Sequence, residues 1–237
     1  MDPRVAIIEE RLKSIKRIIA VAAGKGGVGK STVATGLALV LSEMGHRVGL
    51  LDLDFYGPST HIILGVSEDV QPKEERGIVP PKVHGIEFMS LVYYTKENPA
   101  PLRGSDLTNA LMELLAITRW GELDFLIVDM PPGLGDTTLD AIRLLKNPSF
   151  LVVTTPSRVA AETVKKLLAL LEELRLPILG ILENMSRPGA SGQLLPCTAR
   201  LPFDEGLESA LGDPERFLQT EFARTLREIA ANMQEIW

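Results

Sequence analysis

The stretch Gly24-Lys25-Gly26-Gly27-Val28-Gly29-Lys30-Ser31 constrains this chain more than any other part of it. Gly24 and Gly29, followed at once by Lys30 and Ser31, satisfy the spacing of a phosphate-binding P-loop. Glycine lets the backbone turn so tightly that successive N–H groups face one phosphate, and a helix that follows adds the positive end of its dipole. The flanks agree. Residues 17–23 form a short apolar run, as expected of a strand covered on both faces. From Lys30 to Met44 the residues Val33, Leu37, Val40 and Leu41 recur at helical spacing, and Gly45 supplies a stop. The pattern predicts a strand, a Gly-rich loop and a helix, with Lys30 placed to reach β- and γ-phosphates and the Ser31 hydroxyl placed on Mg2+. Thr32 completes this cofactor-binding run.

Further apolar runs at Val48 to Leu53, Ile86 to Leu91, Phe125 to Val128, Phe150 to Val153 and Ile178 to Leu182 read as buried strands separated mostly by helical stretches. Such alternation predicts an α/β fold of three layers, the P-loop NTPase arrangement, with a mostly parallel sheet and helices on both faces. Residues 67–85 and 92–104 lack period and read as surface loops. Asp2-Pro3 reads as a helix cap followed by proline in the first turn, and Val5, Ile8, Leu12 and Ile15 then make an apolar stripe. Residues 1–16 are therefore expected to form an amphipathic helix, packing on this domain or docking to another chain, ahead of an ATPase domain over 17–237. A final helix is expected from Pro214 to Trp237. Phe217, Phe222, Leu226, Ile229 and Met233 share one side of it, and its mixed charges favour packing on the sheet over a membrane surface.

Two acidic strand ends accompany the loop. Phe125-Leu126-Ile127-Val128-Asp129 is an apolar strand ending in a carboxylate, which makes Asp129 the Walker B residue. The glycines of Met130 to Asp136 permit the Gly133 N–H to approach a γ-phosphate and the loop to act as a switch. In Leu51-Asp52-Leu53-Asp54, Asp52 is placed to support the metal, and Asp54 to touch the metal shell and orient or deprotonate a water; the alternative for Asp54 is a cap or turn residue. The net charge of −6 and the lack of a long uncharged apolar run argue against nucleic-acid and membrane partners. Cys197 is the only cysteine, so no intrachain disulfide forms and a reducing cytoplasm fits. His46, His61 and His84 lack the short spacing of a metal site.

Together, Gly24 to Ser31, Asp52-Leu53-Asp54 with Tyr56-Gly57-Pro58-Ser59, Asp129 to Asp136, and Glu183-Asn184-Met185 resemble the Mrp/MinD class of deviant-P-loop ATPases. The resemblance implies ATP/ADP and Mg2+ as cofactors and a homodimer in the ATP state, with Lys25 reaching the partner's nucleotide. It also implies that Asn184 reads the adenine edge, unless it caps a turn, and that Leu201-Pro202-Phe203 lines the base pocket. Many members are iron–sulfur carriers with a Cys-x-x-Cys segment after Glu-Asn-Met. Here the stretch from Ser186 to Thr198 is short and holds Cys197 alone. That departure makes the archaeal HypB-like branch, an ATPase assisting nickel insertion into hydrogenase, the expected function, with a HypA-like nickel metallochaperone docking through residues 1–16. The alternatives are an Mrp-like iron–sulfur carrier or a MinD/ParA-like spatial organiser.

Overall fold

Asp2 opens the first helix by accepting a hydrogen bond from the Arg4 amide, and Pro3 occupies the first turn, where its missing N–H costs nothing. In the computed structural model, which describes residues 2–95, 104–187 and 194–233, this helix is α1 (Pro3–Arg11). Ile8 and Leu12 are buried against the apolar side of a later helix, and burial of each contributes about 1.5–3 kcal/mol. The strand β1 (Ile15–Ala23) starts two residues earlier than the apolar run suggested, because Ile15 itself is buried. Its residues divide alternately. Ile19, Val21 and Ala23 face one apolar cluster, whereas Ile18, Ala20 and Ala22 face the other, which is why the run reads as apolar throughout.

Along the chain follow α2 (Lys30–Glu43), β2 (Val48–Asp52), α3 (Thr60–Leu64), β3 (Lys73–Glu74), β4 (Ile78–Val79), β5 (Lys82–Val83), β6 (Ile86–Ser90) and α4 (Val92–Thr95). Then come α5 (Ser105–Ile117), β7 (Leu123–Asp129), α6 (Asp136–Leu144), β8 (Ser149–Thr154), α7 (Arg158–Glu173) and β9 (Ile178–Ser186). The chain closes with β10 (Ala199–Pro202), α8 (Leu207–Ala210), α9 (Pro214–Leu218) and α10 (Glu221–Met233). The eight-stranded sheet has the order β10-β9-β8-β1-β7-β2-β6-β5, parallel except for the β5–β6 pair. Core residues of α2, α9 and α10 belong to the cluster on one face; those of α1, α5 and α6, with most of α7, belong to the cluster on the other. The expected α/β three-layer fold is the one observed.

Three local expectations need correction. Residues 67–85 contain the short strands β3, β4 and β5, and α4 lies in the stretch read as a second loop; two-residue strands and a single helical turn are too short to show a period. The last helix is broken between Leu218 and Glu221, where the Thr220 hydroxyl accepts from the Ala223 amide and caps a new helix. Its expected end at residues 234–237 lies outside the described residues, as do residues 96–103 and 188–193.

Candidate nucleotide site

Strand order places three carboxyl ends side by side, with β7 between β1 and β2. In register, Val21 lies opposite Asp129 and Asp129 opposite Asp52, so the loop after β1 and both acidic strand ends share one edge of the sheet. Gly24 leaves β1 against α7: a Cβ there would stand 2.5 Å from the Thr163 carbonyl carbon. Gly29 has φ of +79° and precedes α2 directly. Gly26 and Gly27 are exposed, Val28 is buried, and Lys25, Ser31 and Thr32 are half-buried on the rim. The loop thus presents backbone amides ahead of a helix of 14 residues.

Lys30 is folded inward, its ammonium 2.5 Å from Asp129 Oδ1, and both side chains are buried. The other Asp129 oxygen, Oδ2, is buried without a hydrogen-bond partner among the described residues. Asp52 is equally buried. Its Oδ2 accepts from the Thr60 hydroxyl at 2.6 Å and its Oδ1 from the Asp54 amide at 2.9 Å. Burial, and then the Asp129 carboxylate alongside, push the Asp52 carboxyl up to about 7. Burial pushes Asp129 upward as well, opposed by the Lys30 ammonium. An orphaned carboxylate oxygen beside a second desolvated acid, with Ser31 within electrostatic reach of Asp129, is a donor set that suits a hard divalent cation.

Asp54 is half-buried, and its Oδ1 accepts from the amides of Tyr56 and Gly57, the turn geometry held open by the sequence. Gly133 has φ of +80°, and its amide donates to the Ala23 carbonyl at 3.1 Å, so it is engaged within the protein here. Asn184 is buried, and its Nδ2 donates to the Val28 carbonyl at 2.9 Å. Pro202 lies beside Ser186, and Phe203 is 42% exposed under the Arg187 guanidinium, 4.1 Å from the ring centre. Leu201 does not line that surface. It is fully buried in the core, on the face opposite its strand neighbour Pro202, because successive residues of a strand point to opposite faces. Lys25 forms no ion pair among the described residues.

Thr60, Thr163 and the Glu183–Arg200 ion pair (3.1 Å) were not anticipated. Only Thr60 carried a signal, as a hydroxyl residue immediately after Tyr56-Gly57-Pro58-Ser59. Of the histidines, His46 packs edge-on against Phe125 and His84 sits in a turn with φ of +49°. Among the described residues no group of three or more His, Cys, Asp or Glu side chains is gathered to hold a metal ion.

A parallel sheet with helices on both faces, a Gly-rich loop ahead of α2 and a buried Lys30–Asp129 pair define a P-loop NTPase. A family model described as ParA: NUBPL iron-transfer P-loop NTPase matches residues 14–193, and the chain belongs to that family. It is 42% identical over 178 residues to an iron-sulfur cluster carrier protein of Pseudomonas fragi, covering 74% of this chain and 62% of that one. A carrier of the same name from Rickettsia conorii is 37% identical over 219 residues, covering 89% and 68%. The chain spans from about half to about two thirds of the length of such curated relatives. Among solved structures, a nucleotide-binding protein from Archaeoglobus fulgidus in complex with ADP superposes with a TM-score of 0.74 at 31% identity, over 90% of this chain and 92% of that one. The septum site-determining protein MinD of Pyrococcus horikoshii, complexed with Mg-ADP, gives 0.69 at 21% identity over 93% and 96%, a likeness of fold.

These findings overturn the expectation of nickel insertion. The relatives carry the name iron-sulfur cluster carrier protein, and none of this supports a HypB-like kinship or a HypA-like partner. The missing cysteine pair misled because it lies in one connection between strands, which can change without altering the fold or the nucleotide edge.

Proposed function

We propose that this chain is a Mg2+-dependent ATPase serving iron–sulfur cluster carriage. The observation that carries the ATPase half is the buried edge where Lys30, Asp52 and Asp129 converge beneath the loop Gly24 to Ser31. Ser31 and Asp129 would hold Mg2+ directly, with Asp52 and Asp54 acting through its water shell, and the ion would supply charge neutralisation at phosphate oxygens. The amides of the loop bind the phosphates, Lys30 leaves Asp129 for them, and Asp54 orients the attacking water. Lys25, with no ion pair among the described residues, reaches the nucleotide of a second copy, so the ATP state is a homodimer. Phe203 and Pro202 offer an exposed surface to the base.

The carriage half rests on the relatives. Cys197 alone does not make a cluster cage. It is half-buried against an apolar cluster, and burial raises its thiol above the usual range. Two copies supply two thiols, whereas such a cluster takes four protein ligands. The cargo is therefore shared with a donor or acceptor protein that completes the ligand set. The test is anaerobic transfer of a cluster from a loaded scaffold to an apo-ferredoxin, followed by absorbance. Acceleration that requires ATP and is lost in Cys197→Ser supports the reading. Normal ATP hydrolysis with no effect on transfer removes cluster carriage and leaves the ATPase.

A further inference from the structure

We infer that Asn184 is a positioning residue for the phosphate cradle, aiming the Gly29 amide before any nucleotide arrives. Its Nδ2 donates to the Val28 carbonyl at 2.9 Å across a sequence separation of 156 residues. The two carbonyl oxygens cannot face each other, so this contact also fixes which end of the amide points at the loop. The Val28–Gly29 peptide is trans, and in a trans peptide C=O and N–H point in opposite directions. Holding the Val28 oxygen toward Asn184 therefore turns the Gly29 N–H away from it. No protein group among the described residues accepts a hydrogen bond from that N–H. A donor held in place and left unspent is what a preorganised anion site needs.

The brace is stiff at its far end. Asn184 is 4% exposed near the end of β9, and the space beside Gly29 is so close-fitted that a Cβ there would meet Asn184 Nδ2 at 2.3 Å. Its neighbour Glu183 is buried and paired with Arg200 of β10, and Met185 adopts φ of +58°, so the strand turns sharply just past the contact. β9 is separated from β1, the strand that launches the loop, by β8. Asn184 thus ties the loop to a part of the sheet that does not carry it.

The inference rests on the nucleotide reading, and its test separates the two. Affinities of Mg-ADP and Mg-GDP are measured by titration calorimetry for wild type, Asn184→Leu, which keeps a similar size, loses the donor and adds no charge, and Asn184→Ala. Ile8→Val serves as a control that loosens α1 away from the cradle. If Asn184 aims the loop, both nucleotides weaken by the same factor, about 2- to 12-fold for one hydrogen bond, and the control keeps both affinities. A loss confined to ADP assigns Asn184 to the base instead. Unchanged affinities in both variants, or an equal loss in Ile8→Val, also overturn the positioning role. Where Asn184→Ala does not fold, Asn184→Leu decides alone. A wild-type chain that binds neither nucleotide sinks the nucleotide reading itself, and this inference with it.

Discussion

The middle of the sheet and its β9–β10 edge are built on different terms. At the ends of β1, β7 and β2 the functional groups are buried and tied to one another: Lys30 to Asp129, Asp52 to Thr60, the Gly133 amide to Ala23. At the β9–β10 edge, Glu183 and Asn184 are buried but the groups around them stand half in solvent. Arg200 is 54% exposed in its pair with buried Glu183, Phe203 lies open under Arg187, and Cys197 is half-buried. The difference separates groups fixed by burial and mutual pairing from groups open to solvent. Handling a polyphosphate demands fixed amides and desolvated charge.

Five substitutions break or sharpen that contrast, beginning where the effect is largest. Asp54→Ala is expected to slow ATP turnover by about 100- to 10,000-fold while nucleotide still binds, measured as phosphate release beside calorimetric affinity; normal turnover takes Asp54 out of the chemistry. Lys30→Ala removes a charged partner of the phosphates and should weaken ATP binding by about 10- to 100-fold. Retained affinity there means the loop is not the phosphate site. Gly24→Ala drives a Cβ into Thr163 and should cost about 1–3 kcal/mol in denaturant unfolding. Gly26→Ala, with nothing within 4 Å, should stay within about 0.5 kcal/mol. Equal costs for the two glycines contradict the close packing of the loop on α7. At the outer edge Arg200→Ala should cost only about 1 kcal/mol in denaturant unfolding, since its partner can rehydrate through the space vacated. A loss as large as that of Gly24→Ala makes the edge as rigid as the centre.

The same contrast decides what was legible in the sequence. The loop Gly24 to Ser31, Asp52 and Asp129 declare themselves because their geometry admits few residue types and the flanking strands are apolar on both faces. The contact of Asn184 with Val28 is invisible along the chain, since register across β8 and β9 brings the two together. Strand β10 escaped notice because four residues, one of them proline, follow a stretch with no period. The function was misread for a related reason: a missing pair of cysteines is a local fact, while similarity spread over residues 14–193 reflects the whole fold.

The Lys30–Asp129 contact has one more consequence. A P-loop lysine left bare would be a buried cation waiting for its first anion, and capture would be driven by relief of that isolation. Here the cation already has a mate, so nucleotide arrival is an exchange of one anion for another. The affinity then measures a difference between two partners, and on the proposed function a divalent ion held by Asp129 would free the lysine for the newcomer.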